Sequence, residues 1–545
     1  MKTKPNAIWP LLLLILGALY HRLYADYGFN VADEGSVALI AFKLFQGDVP
    51  QRDFVMGYGL MWYAPVVWLF KWCGPNFLLL KLYFHAVAIA TALLAYFLVH
   101  RLTTRTWLAF LSAIVLILQP GAIHKSPIPF CVMLAMIFLT RPDLNVTAFR
   151  VRPLLAALGA VGVCTLIRTD MGLSALMLLI VLLGVHLVAF WNSLRQGKMR
   201  VLVVSLFGLA IAALVWTFRH DFANWITMLW AHGSGLKPAP AGGLDDPNWR
   251  PGTLLPRIPL SALLQRDRLQ IAWCLLTYLP VVVLALTFLL VAVQTTMRWW
   301  RGNRVLTQPL MTFAVIYGMA LTTFPQFWLF RPDLAHLGSF MPGYVILAAL
   351  AIHGVLSWAV GDSASWKRRL IAASVVAILS AHLALYMWYG FHLPGTGSCL
   401  IRSGRDRLFQ AANGVRVHVN AFEHDNFTRI ANIINQHATP SDYVICFPFA
   451  PGINFMTNRR TCIRELYVDD SLLVSDPGWQ ARTIARIEKH QPPVILISDW
   501  ALNGTEISRF RNWATTLVRH IEQHYTFLET IGDHRVYVRK SKQAN

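Results

Sequence analysis

Long apolar runs separated by short polar segments make up most of the first 390 residues. A helix needs about 20 apolar residues to cross a hydrocarbon core of roughly 30 Å, so this pattern predicts about eleven transmembrane helices. The predicted helices cover residues 8–25, 77–98, 106–121, 127–140, 153–168, 172–192, 200–218, 271–294, 309–328, 340–360 and 368–390. Residues 1–390 are therefore expected to form an α-helical polytopic membrane domain.

The pattern changes after residue 391, where short β-branched segments alternate with amphipathic ones. Strands are predicted over residues 415–419, 443–447, 494–498 and 536–539. Amphipathic helices are predicted over residues 427–436 and 482–490. Such alternation is typical of a layered α/β structure, and about 150 residues are enough for a separate core. Residues 391–545 are therefore expected to form a soluble α/β domain.

Composition excludes a water-solvated fold for most of the chain. Hydrophobic residues make up 56% of the sequence, charged residues only 14%, and the mean hydropathy is +0.48. A soluble domain usually has about a quarter of its residues charged. The net charge of +21 would favour nucleic-acid binding in a soluble protein, but here the basic residues fall mainly in short loops. The expected partner is therefore a lipid bilayer and not a nucleic acid.

The loop charges also predict an orientation. With a cytoplasmic N-terminus, each short inside loop is basic, as the positive-inside rule requires. These loops contain Arg101 and Arg105; Arg141, Arg150 and Arg152; Arg195, Lys198 and Arg200; Arg298, Arg301 and Arg304; and Lys367, Arg368 and Arg369. The short outside loops carry single basic residues, namely Lys125, Arg168 and Arg331. An odd number of helices then places residues 391–545 outside.

The first outside loop, residues 26–76, is predicted to contain surface helices. Residues 36–45 and 55–72 are amphipathic or apolar, but Gly57, Gly59 and Pro65 interrupt the second segment. Segments of this kind lie in the plane of the membrane interface. A membrane crossing by residues 55–73 would invert every later loop and destroy the charge pattern, so a surface position is favoured.

Acidic residues are predicted to gather on the outside face. Asp33 and Glu34 lie in the first outside loop, Asp170 lies between the fifth and sixth predicted helices, and Asp333 lies between the ninth and tenth. Carboxylates near helix ends are costly beside lipid unless they face a cavity or a partner. A cluster of acidic and basic side chains near the outer interface is therefore expected.

Two segments of the first loop resemble the signature of the GT-C glycosyltransferases. They are residues 31–36 (VADEGS) and residues 45–54 (FQGDVPQRDF). This group of polytopic enzymes uses sugars linked to polyprenyl phosphate and includes the protein O-mannosyltransferases and the ArnT-like aminoarabinose transferases. The similarity extends to the layout, with an acidic pair after the first helix and an exported C-terminal domain, and it is closest to bacterial members.

The resemblance implies inverting transfer of a sugar from a lipid phosphate to an acceptor on the outer face of a bacterial inner membrane. Asp33 matches the family's general base, with Glu34 beside it. A carboxylate is suited to this step because the acceptor hydroxyl loses a proton as it attacks the anomeric carbon. The leaving lipid phosphate needs cationic stabilisation. No cofactor is required, and a divalent metal is compatible with the reaction but not implied.

Several outside residues are candidates for substrate binding. Arginine offers phosphate a planar fork of donors, whereas lysine offers a point charge. Residues 168–172 and 331–336 also resemble stretches of bacterial relatives. Arg331 and His336 are the preferred contacts to the donor phosphate, and Asp170 is expected to orient substrate. The full set of candidates is Arg52, Lys125, Arg168, Asp170, Arg331, Asp333 and His336.

Other interpretations remain open. Asp33 is also a suitable N-cap for the following helix, and Arg168 with Asp170 is also a typical interfacial ion pair. For the whole chain, the alternatives are a lipid or solute transporter or flippase, and an envelope scaffold without catalysis. A transporter favours ionisable residues near the bilayer midplane and repeated halves, neither of which the sequence contains. The sugar remains open, and the acceptor is a glycan, a lipid or a protein.

Overall fold

The computed structural model describes residues 7–118, 123–140, 151–191, 268–300, 308–324, 334–360, 365–392, 406–470, 472, 476–501 and 506–540. The chain divides into two compact units. The helical unit comprises Met1–Tyr20, Ala86–Ser234 and Arg257–Thr396. The mixed unit comprises His21–His85, Gly235–Pro256 and Gly397–Asn545.

Helices account for nearly all of the described chain before residue 393. In chain order they are α1 (Ile8–Tyr24), α2 (Asp33–Phe45), α3 (Leu60–Cys73), α4 (Phe77–Thr103), α5 (Thr106–Ile117), α6 (Pro127–Leu139), α7 (Val151–Ile167), α8 (Thr169–Trp191), α9 (Arg268–Trp300), α10 (Gln308–Leu321), α11 (Leu334–Ala359) and α12 (Trp366–His392). Every predicted membrane helix coincides with one of these except residues 200–218, which lie outside the described residues. Helices α2 and α3 occupy the two segments predicted as surface helices.

The apolar helices make this chain a multi-pass membrane protein. Four stretches of the described chain are long and apolar enough to cross a membrane: Phe77–Thr103, Tyr278–Met297, Leu337–Ala359 and Trp366–Trp388. Shorter apolar helices of 10–17 residues accompany them. The total of eleven crossings stays a prediction.

The C-terminal segment contains a four-stranded sheet with the order β3-β4-β6-β5. Its elements are β1 (Arg407–Gln410), β2 (Arg416–Val419), α13 (Ala421–His437), β3 (Val444–Phe447), α14 (Pro451–Met456), α15 (Trp479–His490), β4 (Val494–Ser498), α16 (Phe510–Trp513), α17 (Thr515–His524), β5 (Tyr525–Ile531) and β6 (His534–Arg539). Strands β3 and β4 are parallel, while β6 is antiparallel to both β4 and β5. Every residue of β4 is buried, so this strand lies at the centre of the core.

The sheet confirms the predicted mixture of strands and helices after residue 391. All four predicted strands are present, and both predicted helices are longer than expected. Strands β1 and β5 were not predicted. In β5 only the two end residues, Tyr525 and Ile531, are fully buried, because this strand forms the edge of the sheet. It therefore lacks the apolar alternation that identifies a half-buried strand.

The first loop belongs to the mixed unit together with the C-terminal segment. Aromatic rings join the two: Phe455 of α14 lies 5.9 Å from Phe42 of α2 and 6.3 Å from Phe70 of α3, measured between ring centroids. The predicted division into residues 1–390 and 391–545 follows chain order and stays a prediction. Within the mixed unit, the first loop packs against the C-terminal segment.

Candidate functional site

Helix α2 begins at Asp33, the residue that the sequence singles out as the catalytic base. Ala32 is the N-cap, so Asp33 occupies the first helical position and does not cap the helix. The Asn30 side chain takes the capping role, because its Oδ1 accepts hydrogen bonds from the backbone N–H groups of Ala32 (2.9 Å) and Asp33 (3.0 Å). The Asp33 carboxylate is therefore not required to satisfy the helix end.

The two adjacent carboxylates have different surroundings. Glu34 Oε2 accepts a hydrogen bond from the Asn30 N–H at 3.2 Å, and Glu34 Oε1 lies 3.8 Å from Lys81 Nζ. Asp33 is half-buried, and within the described residues its carboxylate has no hydrogen-bond or ion-pair partner. Its position in the first turn of α2 places it near the positive end of the helix dipole. Glu34 thus holds the local structure, whereas Asp33 is available to accept a proton.

Lys81 is a residue of this region that the sequence analysis missed. Its side chain is buried on α4, and its ammonium group donates to the carbonyl oxygens of Tyr27 (2.7 Å) and Gly28 (3.3 Å). These bonds attach α4 to the chain just before α2. The available signal was a lysine within an otherwise apolar predicted span, since ionisable residues in such spans usually have a specific partner.

Arg52 forms a bidentate pair with the adjacent Asp53. Arg52 Nε donates to Asp53 Oδ1 at 3.0 Å, and Nη2 donates to Oδ2 at 2.8 Å. The hydrogen bond from Arg52 and a second one from the Val49 N–H lower the pKa of Asp53 to about 2. The Arg52 side chain is 71% exposed, and a guanidinium has five N–H donors, so three of them have no partner among the described residues.

The helical unit contains a second pair of this kind. Arg168 Nε donates to Asp170 Oδ1 at 2.8 Å, and Nη2 donates to Oδ2 at 3.1 Å. Arg168 directly follows α7, and Asp170 lies in the first turn of α8. The connection is tight, since a Cβ at Gly172 would lie 2.2 Å from the Thr165 Cα. The ion pair expected from the sequence is therefore present.

The remaining candidates differ in how they are placed. Lys125 ends the short 3₁₀ helix Ile123–Lys125 before α6 and is buried, with 7% of its surface exposed. His336 lies in the first turn of α11. Arg331 and Asp333 lie outside the described residues. Asp33, Glu34 and Arg52 belong to the mixed unit, and Lys125, Arg168 and Asp170 to the helical unit; their convergence on one site stays a prediction.

The fold is similar to that of a solved glycosyltransferase. The crystal structure of ArnT from Cupriavidus metallidurans bound to undecaprenyl phosphate matches with a TM-score of 0.50 and 15% sequence identity. The match covers 98% of this chain and 99% of that chain. It shows that the chain has the GT-C fold predicted from its first-loop motifs.

A further match is the archaeal oligosaccharyltransferase AglB from Archaeoglobus fulgidus, in complex with an inhibitory peptide and a dolichol-phosphate. Its TM-score is 0.47 and its identity 13%, and the match covers 98% of this chain and 75% of that chain. No protein-family model and no curated protein matches the sequence.

Proposed function

We propose that the chain is an inverting glycosyltransferase that moves a sugar from a polyprenyl-phosphate donor to an envelope acceptor. The observation that carries this proposal is the Asp33 carboxylate, which lies unpaired among the described residues at the start of a helix in a GT-C fold. An unpaired, half-buried carboxylate is suited to general-base catalysis because no cation competes for its lone pairs.

In the proposed reaction, the acceptor oxygen attacks the anomeric carbon while Asp33 takes the hydroxyl proton. The bond between the anomeric carbon and the phosphate oxygen breaks, and its electron pair leaves with the lipid phosphate. One displacement inverts the configuration. Cationic side chains stabilise the departing phosphate, and the candidates are Arg52, Lys125, Arg168, Arg331 and His336. This route needs no cofactor and is compatible with a divalent metal.

Glu34 acts in this proposal through structure. Its contacts to the Asn30 N–H and the Lys81 ammonium fix the first turn of α2. The neighbouring Asp33 is thereby held in one orientation, which a general base requires. Asp170 and Asp333 are the candidates for orienting substrate hydroxyl groups.

The donor lipid is proposed to be undecaprenyl phosphate, the ligand named for the ArnT structure. The proposed location is a bacterial inner membrane, with the N-terminus in the cytoplasm and residues 391–545 in the periplasm. The acceptor is a glycan, a lipid or a protein on the periplasmic face. The loop charges support this orientation.

Mass spectrometry of envelope glycans and lipids tests the proposal directly. Cells would express the wild-type protein, Asp33→Asn or no protein, and the membrane level of both proteins would be matched. The proposal predicts a sugar-sized mass that appears only with the wild type, because Asn keeps the size of Asp33 but has no basic carboxylate.

The attachment point of that mass would identify the acceptor class. A wild-type profile restored in full by Asp33→Asn would remove Asp33 from the chemistry and favour the transporter interpretation. A mass absent in all three strains would contradict transfer onto envelope components.

A further inference from the structure

The first loop is bound to the C-terminal segment at several points along its length. Backbone hydrogen bonds join the two at four places: Gly28 N–H to His418 O (2.8 Å), Gly452 N–H to Val31 O (2.8 Å), Val55 N–H to Arg464 O (2.8 Å) and Phe77 N–H to Asn413 O (3.1 Å). In chain order, the first bond lies before α2 and the second close to its start. The third lies after α2, and the fourth is made by the first residue of α4. The path of the loop is therefore set by a segment that lies over 300 residues later in the chain.

The tightest of these contacts lies next to Asp33. A Cβ added to Gly35 would lie 2.4 Å from the Gly452 Cα and 2.5 Å from the Gly452 N. A Cβ added to Gly452 would lie 2.7 Å from the Val31 Cα. All of these neighbours are backbone atoms. The clash therefore cannot be relieved by moving a flexible side chain in either segment. The first turn of α2 and the start of α14 thus meet backbone to backbone, which only glycine permits.

A charged cluster fixes the other end of α2 to the same segment. Lys43 Nζ lies 2.8 Å from Asp48 Oδ2, and Arg460 Nη2 lies 2.8 Å from Asp48 Oδ1. The Asp48 and Lys43 side chains are only 9% and 5% exposed. Arg464 also donates a hydrogen bond to the Gln51 carbonyl oxygen. Helix α2 is therefore held at both ends, by close backbone packing at one and by paired charges at the other.

We infer that Gly35 and Gly452 are positioning residues, and that the C-terminal segment sets the place of the catalytic carboxylate through them. The inference rests on the proposed function of Asp33. Gly35 follows Asp33 by two residues in the same helical turn, so a shift of one moves the other. Relieving a 2.4 Å clash to an ordinary contact of 3.4 Å requires a displacement of about 1 Å. A misplacement of about 1 Å can lower a reaction rate by about 100-fold.

The test compares Gly35→Ala and Gly452→Ala with a matched control, Gly57→Ala. Gly57 lies in the same loop, and a Cβ there would meet no atom of the described residues within 4 Å. Hydrogen–deuterium exchange would be measured on each full-length variant, purified in detergent micelles. Peptides covering residues 28–37 and 450–456 report the hydrogen bond from Gly452 to Val31 and the first turn of α2.

Both clashing variants are expected to exchange at least tenfold faster in these two peptides, with the peptides of β4 and β6 unchanged. Sugar transfer in cells, divided by membrane protein level, is expected to fall at least tenfold for the same two variants. Gly57→Ala is expected to match the wild type in both measurements.

Three outcomes would overturn the inference. Exchange at the wild-type rate in both variants would show that the contact does not hold the loop. Faster exchange throughout β4 and β6, or loss of folded protein for both variants, would show that the glycines serve the whole unit. Normal transfer despite faster local exchange would show that Asp33 does not depend on the contact.

The exchange measurement requires no transferase activity, so it separates this inference from the proposed function. If Asp33→Asn abolishes transfer while both glycine variants retain it, only the positioning role fails. If Asp33→Asn retains transfer, the proposed function fails, whatever the glycine variants do to exchange.

Discussion

At the start of α2 the Asp33 carboxylate has no ion-pair partner in the described part of the chain, whereas at its end Lys43 and Asp48 form a buried pair. The start of α2 contacts the C-terminal segment through glycines, and the end of α2 contacts it through Arg460. Both ends are fixed, but the charged contact at the start of α2 is made by Glu34 and Lys81, and Asp33 takes no part in it.

This difference indicates how a single helix can combine rigidity with a reactive group. A buried ion pair keeps its charges occupied, and removing one partner leaves the other uncompensated. A backbone contact between glycines holds the chain without using any titratable group. The start of α2 can therefore be immobile while its carboxylate stays free for chemistry. The following substitutions test this comparison by their effects on stability.

The largest loss of stability is expected for Asp48→Asn. This change leaves the Lys43 ammonium, which is 5% exposed, without its carboxylate. Breaking such a buried pair costs about 3 kcal/mol. Thermal unfolding of the purified protein in detergent would measure the loss. An unfolding midpoint equal to that of the wild type would show that the pair is solvated and does not fix this end of α2.

A smaller loss is expected for Glu34→Gln. The Gln oxygen can still accept the Asn30 N–H, but Lys81 loses a negative charge at 3.8 Å. Because Lys81 keeps its two carbonyl contacts, we expect a cost of about 1 kcal/mol. The same unfolding measurement applies, with Glu34→Asp as the charge-preserving comparison. A loss as large as that of Asp48→Asn would mean that the start of α2 depends on charge as strongly as its other end does.

The smallest loss is expected for Arg460→Gln. The Arg460 side chain is 47% exposed, and Asp48 retains Lys43. Exposed ion pairs contribute less than about 1 kcal/mol, and salt screens them further. Unfolding at low and at high ionic strength should therefore differ little between this variant and the wild type. A loss of several kcal/mol would place Arg460, and not Lys43, at the centre of the cluster.

The sequence predicted the helices well because their signal is local. An apolar run of sufficient length defines a membrane helix whatever it packs against, and helices occupy the predicted positions within the described residues. The acidic pair at the start of α2 was also visible, because Asp33 and Glu34 form part of a recognisable motif. The strands β3 and β4 were predicted for a similar reason, since each is a short β-branched run.

The features that fix the candidate site depend on contacts between distant residues. Gly35 and Gly452 are ordinary glycines in the sequence, and only the fold brings their backbones together. The Asn30 side chain, and not Asp33, accepts hydrogen bonds from the N–H groups at the start of α2. The general preference for Asp at N-caps does not predict this. Lys81 lies within an apolar helix, and its partners, two carbonyl groups and the Glu34 carboxylate, come from a different part of the chain.

The most direct test of this account is a comparison of Asp33→Asn with the wild type as purified proteins. Each would be supplied with a polyprenyl-phosphate donor and with an acceptor, both carrying the chemistry identified by mass spectrometry, and kcat and the unfolding midpoint would be measured. The account predicts a fall in kcat of at least about 100-fold, because general-base catalysis contributes that much or more. It also predicts a change in stability below about 1 kcal/mol, because this carboxylate has no hydrogen-bond or ion-pair partner among the described residues and lies only near the helix dipole. Wild-type kcat, or a loss of activity that merely follows a loss of folded protein, would contradict it.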